Sequence, residues 1–131
     1  MEKENKNIKI LLIDDDRFLL DMYSLKFKKS ELNVDTSSSS LNALEKLRTG
    51  GDYDIILLDI IMPGMDGLDL LKTIRAEKLS PNSVIIMLTN QADDFEKAKA
   101  FNVNGYIIKA TTIPSEVVEQ VLVIYRNKNK K

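Results

Sequence analysis

With 131 residues, 44% of them hydrophobic and 30% charged, the chain is long enough for one compact domain with its own core, and no second domain is expected. Lys+Arg 19 against Asp+Glu 20 gives a net charge of -1, which leaves no basic excess for binding nucleic acid. The absence of cysteine excludes disulfides, thiol catalysis and Cys-based metal sites, and the absence of histidine excludes Ser-His-Asp triads, imidazole-ligated metals and a role as histidine phosphocarrier.

The N-terminal MEKENKNIKILLIDDD has an apolar run too short, and too soon followed by acids, for a signal peptide or membrane span, so the cytoplasm is the expected location. Ile8 to Ile13 reads as a buried strand ending on Asp14, Asp15 and Asp16. From Arg17 to Lys29, Phe18, Met22 and Leu25 recur at helical spacing and predict an amphipathic helix with that face on the sheet. Leu32 to Ser38 is a shorter, more polar strand suited to a sheet edge. The run Ser37 to Ser40 supplies the cap of a second helix carrying Leu41, Leu44 and Leu47, which stops at Gly50-Gly51.

Tyr53 to Gly67, YDIILLDIIMPGMDG, organises the rest. Its apolar run Ile55 to Leu58 ends on Asp59, turns through Pro63 and Gly64, and opens a third helix (Leu68, Leu71, Ile74) after Asp66-Gly67. Asp66-Gly67 reads as a structural turn and cap. Ser83 to Leu88 is another continuous apolar strand, closing on Thr89. Ala92 to Asn102 is a helix of modest hydrophobicity around Phe95, Ala98 and Phe101, and Gly105 to Ile108 is a short last strand ending on Lys109. A fifth helix starts at Pro114 and runs to about Asn127, with a polar basic tail over residues 128–131. It carries two apolar rows, Val117, Val121, Ile124 and Val118, Leu122, Tyr125. One row is expected on the sheet and the other is left as a surplus, a face for a partner or a second copy. Five β-α units with short connections predict an α/β fold with a parallel sheet covered on both faces.

In such a sheet the strand-end residues meet at the carboxyl edge, where ligands bind. There lie Asp14 and Asp15, Asp59, Thr89 and Lys109. An aspartate at such a position can also cap the next helix, and Asp15, Asp16 and Asp66 are each candidates for that. Three converging carboxylates repel one another unless a cation neutralises them. With oxygen ligands alone, that cation is Mg²⁺, or Mn²⁺ in its place. Asp59 can then attack a phosphoryl group as a carboxylate, while Lys109 and the Thr89 hydroxyl hold the remaining oxygens.

The set Asp14, Asp15, Asp59, Thr89 and Lys109 resembles that of a response-regulator receiver domain of two-component signalling, and the likeness extends from about Ile8 to about Tyr125. The resemblance implies a flavodoxin-like (βα)5 three-layer sandwich with strand order 2-1-3-4-5 and a receiver domain over residues 1–127. It implies that Asp59 is the phosphoacceptor and that Asp15 binds the metal directly, with Asp14 acting mainly through water. It further implies that the Ile61 backbone carbonyl is a metal ligand, that Thr89 and Lys109 bind phosphate, and that Tyr106 is the aromatic that moves inward with Thr89. A histidine kinase or histidine phosphotransfer protein is the implied phosphodonor. The switched surface comprises the fourth helix, fifth strand and fifth helix, a face through which a homodimer is also expected. No membrane or direct nucleic-acid contact is implied. The chain is then a signalling domain rather than an enzyme, either stand-alone or cut before an output domain.

This sequence departs from the family at three places. Ala110 follows Lys109 where a proline in cis is usual, so a trans bond or a strained loop is expected. Asn90 follows Thr89 where a small residue is common, so it is expected to narrow access to the site and to join the residues that tune phosphoryl lifetime. Ile61 and Gln91 occupy the positions that tune phosphoryl lifetime, and an apolar Ile61 cannot orient an attacking water. Two other readings compete. A phosphatase resembling the haloacid dehalogenase superfamily would use Asp14-x-Asp16, but it would leave Asp59 without a role and lacks an acidic pair after Lys109. An interaction module that works without phosphorylation would not need the complete set.

Overall fold

The computed structural model describes residues 7–90 and 94–129. Strands β1 (Lys9–Ile13), β2 (Asn33–Ser37), β3 (Ile55–Asp59), β4 (Val84–Thr89) and β5 (Gly105–Ile108) alternate with helices α1 (Arg17–Lys29), α2 (Ser40–Arg48), α3 (Gly67–Ala76), α4 (Asp94–Lys99) and α5 (Pro114–Asn129). All strand pairs are parallel and the sheet order is β2-β1-β3-β4-β5, the flavodoxin-like order the resemblance implied. β3 and β4 are buried from end to end because they are central strands with helices on both faces. β2, half-exposed and polar, lies at one edge.

Strand alternation divides the core into two layers. Ile10, Leu12, Ile55, Leu57, Ile86, Leu88 and Ile107 face α1 and α5, whereas Leu11, Ile13, Ile56, Leu58, Ile85 and Met87 face α2, α3 and Ala98 of α4. Helices α1, α2 and α3 are capped as their sequences suggest. Asp16, Ser39 and Asp66 accept from the backbone amides of Leu19, Asn42 and Asp69 respectively, so within the run of serines Ser39 is the cap. Asp66-Gly67 is the turn and cap that the sequence indicates.

Three helix faces differ from the sequence expectation. On α1 the sheet-facing residues are Leu20, Tyr23 and Phe27, while Phe18 and Leu25 are 73% and 56% exposed and Met22 is half-buried. Two apolar rows run along this helix, and the one that fits between sheet and α5 is the row containing Tyr23. On α2, Leu41 is 70% exposed, and Ala43 joins Leu44 and Leu47 in the core. On α5 no row is surplus. Val117, Val121, Val118 and Leu122 are all buried, and Ile124 and Tyr125 pack against the same cluster. The reason is that α1 lies alongside α5, so this helix has two neighbours to satisfy, the sheet and α1. Val118 and Leu122 are therefore interior residues and provide no dimer face. Helix α5 also continues to Asn129, two residues beyond the point read from the sequence. Gln91 lies outside the described residues, as do the side chains of Phe95 and Ala110.

These burials separate neighbouring positions on α5. Leu122→Ala, which removes a buried side chain, is expected to lower stability by about 2–5 kcal/mol, whereas Val123→Ala, at an exposed position, should stay within about 0.5 kcal/mol of wild type. Urea denaturation of both variants measures the difference.

Candidate functional site

The register of the two central pairs builds the site. Ile13 pairs with Leu58, so one further step sets Asp14 beside Asp59 at the strands' carboxyl ends. Both share the alternation of Leu12 and Leu57 and start out on the α1/α5 side of the sheet. Asp14 and Asp59 are 3% and 5% exposed, while Asp15 is exposed. One carboxylate oxygen from each of Asp14, Asp15 and Asp59 lies within 4.8 Å of the other two.

Lys109, at the end of β5, reaches across to them. Its Nζ is 3.0 Å from Asp14 Oδ2 and 3.3 Å from Asp59 Oδ2, and its own side chain is 10% exposed. Lys109, Ala110 and Thr111 form a 3₁₀ turn, and among the described residues no peptide bond is cis, so the Lys109-Ala110 bond is trans. Asp14 Oδ1 accepts the Asp16 amide at 3.0 Å. Its buried Oδ2 meets Lys109 as an ion pair but has no hydrogen bond of its own.

The charge balance of the cluster is uneven. Two buried carboxylates share one ammonium. Burial, opposed by Lys109 and reinforced by Asp14, pushes the Asp59 carboxyl up to about 7. Burial alone would lower Lys109, yet the charges of Asp59 and Asp14 outweigh it and hold the ammonium above its ordinary value. An incompletely neutralised group of acidic oxygens, one of them short of a hydrogen bond, is the donor set that a hard divalent cation takes.

The cleft over this cluster is lined by Asp14, Asp15, Asp16, Leu19, Asp59, Ile61, Asn90 and Lys109. Six of the expected site residues, Asp14, Asp15, Asp59, Ile61, Asn90 and Lys109, therefore come together. Thr89 does not join them in the lining. It is wholly buried at the end of β4, on the alternation of Met87 and Ile85, which faces α2, α3 and α4. Tyr106 is half-buried and packs on that same side. Asp16, the second acid of the phosphatase reading, is engaged as the α1 cap, accepting from Leu19 N at 3.2 Å.

Two contributors escaped the sequence reading. Leu19 forms an apolar wall of the cleft, and its place three residues after the capping aspartate was the available signal. Gly67 does more than turn the chain. Its amide donates to Ile60 O at 2.7 Å, and a Cβ there would press into the Asp59 carbonyl and come within 2.7 Å of Ile60 Cα. Only glycine lets α3 begin against the backbone that carries Asp59.

The Asp59 environment has a measurable consequence. An unfolded aspartate titrates near 3.8 and the folded one near 7, so the folded state holds this proton more tightly. Below about 3.8 both states hold the proton and stability does not vary with this group; between about 3.8 and about 7 only the unfolded state has lost it, so stability falls as pH rises and levels off above about 7. Metal-free Asp59→Asn should therefore gain stability relative to metal-free wild type as pH rises across this window, and Mg²⁺ should shrink the gap by stabilising wild type. Urea midpoints at several pH values, with and without Mg²⁺, measure it.

Comparison with known proteins gives a consistent answer. The profile of the response regulator receiver domain matches residues 10–121. The chemotaxis protein CheY-3 of Vibrio cholerae is 38% identical over 113 residues, 82% of this chain and 85% of its own length. The transcriptional regulatory protein ResD of Bacillus subtilis is 31% identical over 128 residues, 96% of this chain and 51% of its own length. Among solved structures, the receiver domain of Francisella response regulator 1452 superposes with a TM-score of 0.80 at 26% identity, covering 93% of this chain and 99% of that one. A CheY-like receiver domain protein from Methanospirillum hungatei shares the fold, with a TM-score of 0.83 at 22% identity over 94% of this chain and 97% of that one.

Proposed function

Since the chain belongs to the response-regulator receiver family, we propose that it is a phosphorylation-controlled switch in which Asp59 takes the phosphoryl group and the surface of α4, β5 and α5 carries the outcome. The observation that carries this reading is the buried pair Asp14 and Asp59 sharing the single ammonium of Lys109 beneath an open cleft. A carboxylate nucleophile needs to be ionised and accessible, and a site for a dianionic group needs positive charge in place beforehand.

In this reading Asp15, Asp59 and the Ile61 carbonyl hold Mg²⁺ directly, with Asp14 acting through water. Bound there, Mg²⁺ neutralises the acids and screens the incoming phosphoryl oxygens. An Asp59 oxygen forms the new O–P bond as the P–N bond to a phosphohistidine breaks, and the imidazole leaves with the electron pair and takes up a proton. The donor is a histidine kinase or a histidine phosphotransfer protein, and small phosphodonors serve the same site. Lys109 turns from the carboxylate to the phosphoryl oxygens. Thr89 leaves its buried position to bind them too, and Tyr106 follows into the space on the α4 side. The chain has no catalytic activity beyond its own phosphorylation and dephosphorylation. Among the described residues no helix is long and apolar enough to cross a membrane. A homodimer through α4, β5 and α5 would have to use residues other than the interior Val118 and Leu122.

Incubation with acetyl phosphate and Mg²⁺ should give an acyl-phosphate adduct by intact mass, absent in Asp59→Asn and without Mg²⁺. Ile61 is 56% exposed at the cleft and has no group to orient a water, so the adduct should persist for minutes or longer; a half-life of seconds would contradict this role for Ile61.

The exposed row on α1 bears on the donor. Phe18 begins it, between Asp16 and Leu19 of the cleft lining in sequence, and Leu25 extends it. An apolar row beside the entrance suits the helices that present a phosphohistidine. Phe18→Asp should slow transfer from a phosphorylated histidine donor while leaving phosphorylation by acetyl phosphate unchanged, and rates measured with both donors test it.

A further inference from the structure

Helix α4 is short, and among its described side chains Glu96, Lys97 and Lys99 are exposed while Ala98, in the last turn, is buried. A helix with so little of its surface packed takes its position from whatever fastens its ends. Past Lys99 the chain closes in a tight turn, with the Phe101 and Asn102 amides donating to Ala98 O and Lys99 O at 3.0 and 3.1 Å and Asn102 in the left-handed region at φ 60°. Such a turn ends a helix and leaves its own carbonyls in need of donors.

Helix α3 supplies them. Arg75 Nε donates to Phe101 O at 3.0 Å and Arg75 Nη2 donates to Asn102 O at 2.9 Å, while Lys72, one turn earlier, holds its Nζ 5.8 Å from the centre of the Phe101 ring. On the far side of the turn Asn104 N donates to Ile85 O and Asn104 Oδ1 accepts from Ile85 N, both at 2.8 Å, which ties the same segment to β4. A guanidinium presents its donors in a rigid plane, so two bonds from one head fix direction as well as distance. The helix that carries Arg75 is itself fixed, since Leu70, Leu71 and Ile74 are wholly buried and Gly67 abuts the Asp59 backbone.

We infer that Arg75 is the pivot of α4: on phosphorylation the helix swings about residues 101–104, which stay with α3 and β4, while its Asp94 end moves. The inference rests on the reading of Asp59 as phosphoacceptor and of α4 as part of the responding surface, and it adds which end of the helix moves and which side chain holds the other. Without the guanidinium the turn loses its tie to α3, and the whole of α4 is free to shift.

The test reads backbone amide shifts by NMR on adding beryllofluoride and Mg²⁺, a mimic of the phosphoryl group, and separately the amide hydrogen exchange of the untreated protein, for wild type, Arg75→Met and Arg48→Met. In wild type the induced shifts at Glu96 and Lys97 should exceed those at Phe101 and Asn102 by about two-fold or more. Arg75→Met keeps the apolar stem without the donors; its Phe101 and Asn102 amides should exchange about two- to ten-fold faster than in wild type, and the induced shifts should spread to them. Arg48→Met removes a different arginine, bonded at 2.8 Å to Glu77 at the end of α3, and should behave as wild type. Wild-type shifts of similar size at both ends of α4 overturn the inference, as does an Arg75→Met protein whose shifts stay confined as in wild type. Exchange in Arg75→Met that matches wild type, or equal acceleration in Arg48→Met, overturns the tie to α3 whatever the beryllofluoride result. A wild type with no response to beryllofluoride overturns the phosphoacceptor reading and the pivot with it, and the exchange result tells that failure from a failure of the tie.

Discussion

Everything at the functional edge of this protein depends on two aspartates kept out of water with one lysine between them. Asp14 and Asp59 are nearly as buried as Ile13 and Leu58, which precede them, and Lys109 approaches both within 3.3 Å. One positive charge cannot neutralise two negative ones, so the cluster carries an unmet demand for a cation. Burying such a group works against stability, and a fold that retains it holds a site poised to bind. The surrounding structure supplies what the cluster needs to persist. The parallel register puts the two acids side by side, the Asp16 amide accommodates Asp14, and Gly67 allows α3 to close against the Asp59 backbone.

The alternation of the strands then divides the labour between the two faces of the sheet. The carboxylates and Lys109 begin on the side covered by α1 and α5. Thr89 and Tyr106 belong to the other side, with α2, α3 and α4. A charge gained at Asp59 is therefore handled by one layer and, in the proposed mechanism, transmitted through the other by movement of a hydroxyl at the sheet's end. Helix α3 links the same regions from behind. It starts against Asp59 and Ile60, and near its other end Arg75 donates to the carbonyls of Phe101 and Asn102, just past α4, at 3.0 and 2.9 Å.

Much of this was legible in the chain itself. Continuous apolar runs closing on Asp14, Asp59, Thr89 and Lys109 defined strands and their chemically active ends, because a doubly covered parallel strand tolerates polar residues only where it emerges. The capping residues were legible for a similar reason, since Asp16, Ser39 and Asp66 satisfy amides within their own first turn. Helix faces were less so. Phe18, Met22 and Leu25 match the helical period as well as Leu20, Tyr23 and Phe27 do, and periodicity alone does not say which row a neighbour will cover. The same ambiguity made Val118 and Leu122 look like surplus when α1 was their partner.

The sequence by itself determined the strand-end chemistry, the order of elements and the absence of any imidazole or thiol, because these are properties of local residue type and spacing. Only the tertiary structure decided which acids are buried and which is exposed, that Lys109 sits between Asp14 and Asp59, that Thr89 and Tyr106 lie on the opposite face, and that α5 has no free apolar row. Each of these depends on contacts between residues far apart in the chain. Burial, and with it the charge balance of the site, exists only once helices and strands have chosen their neighbours.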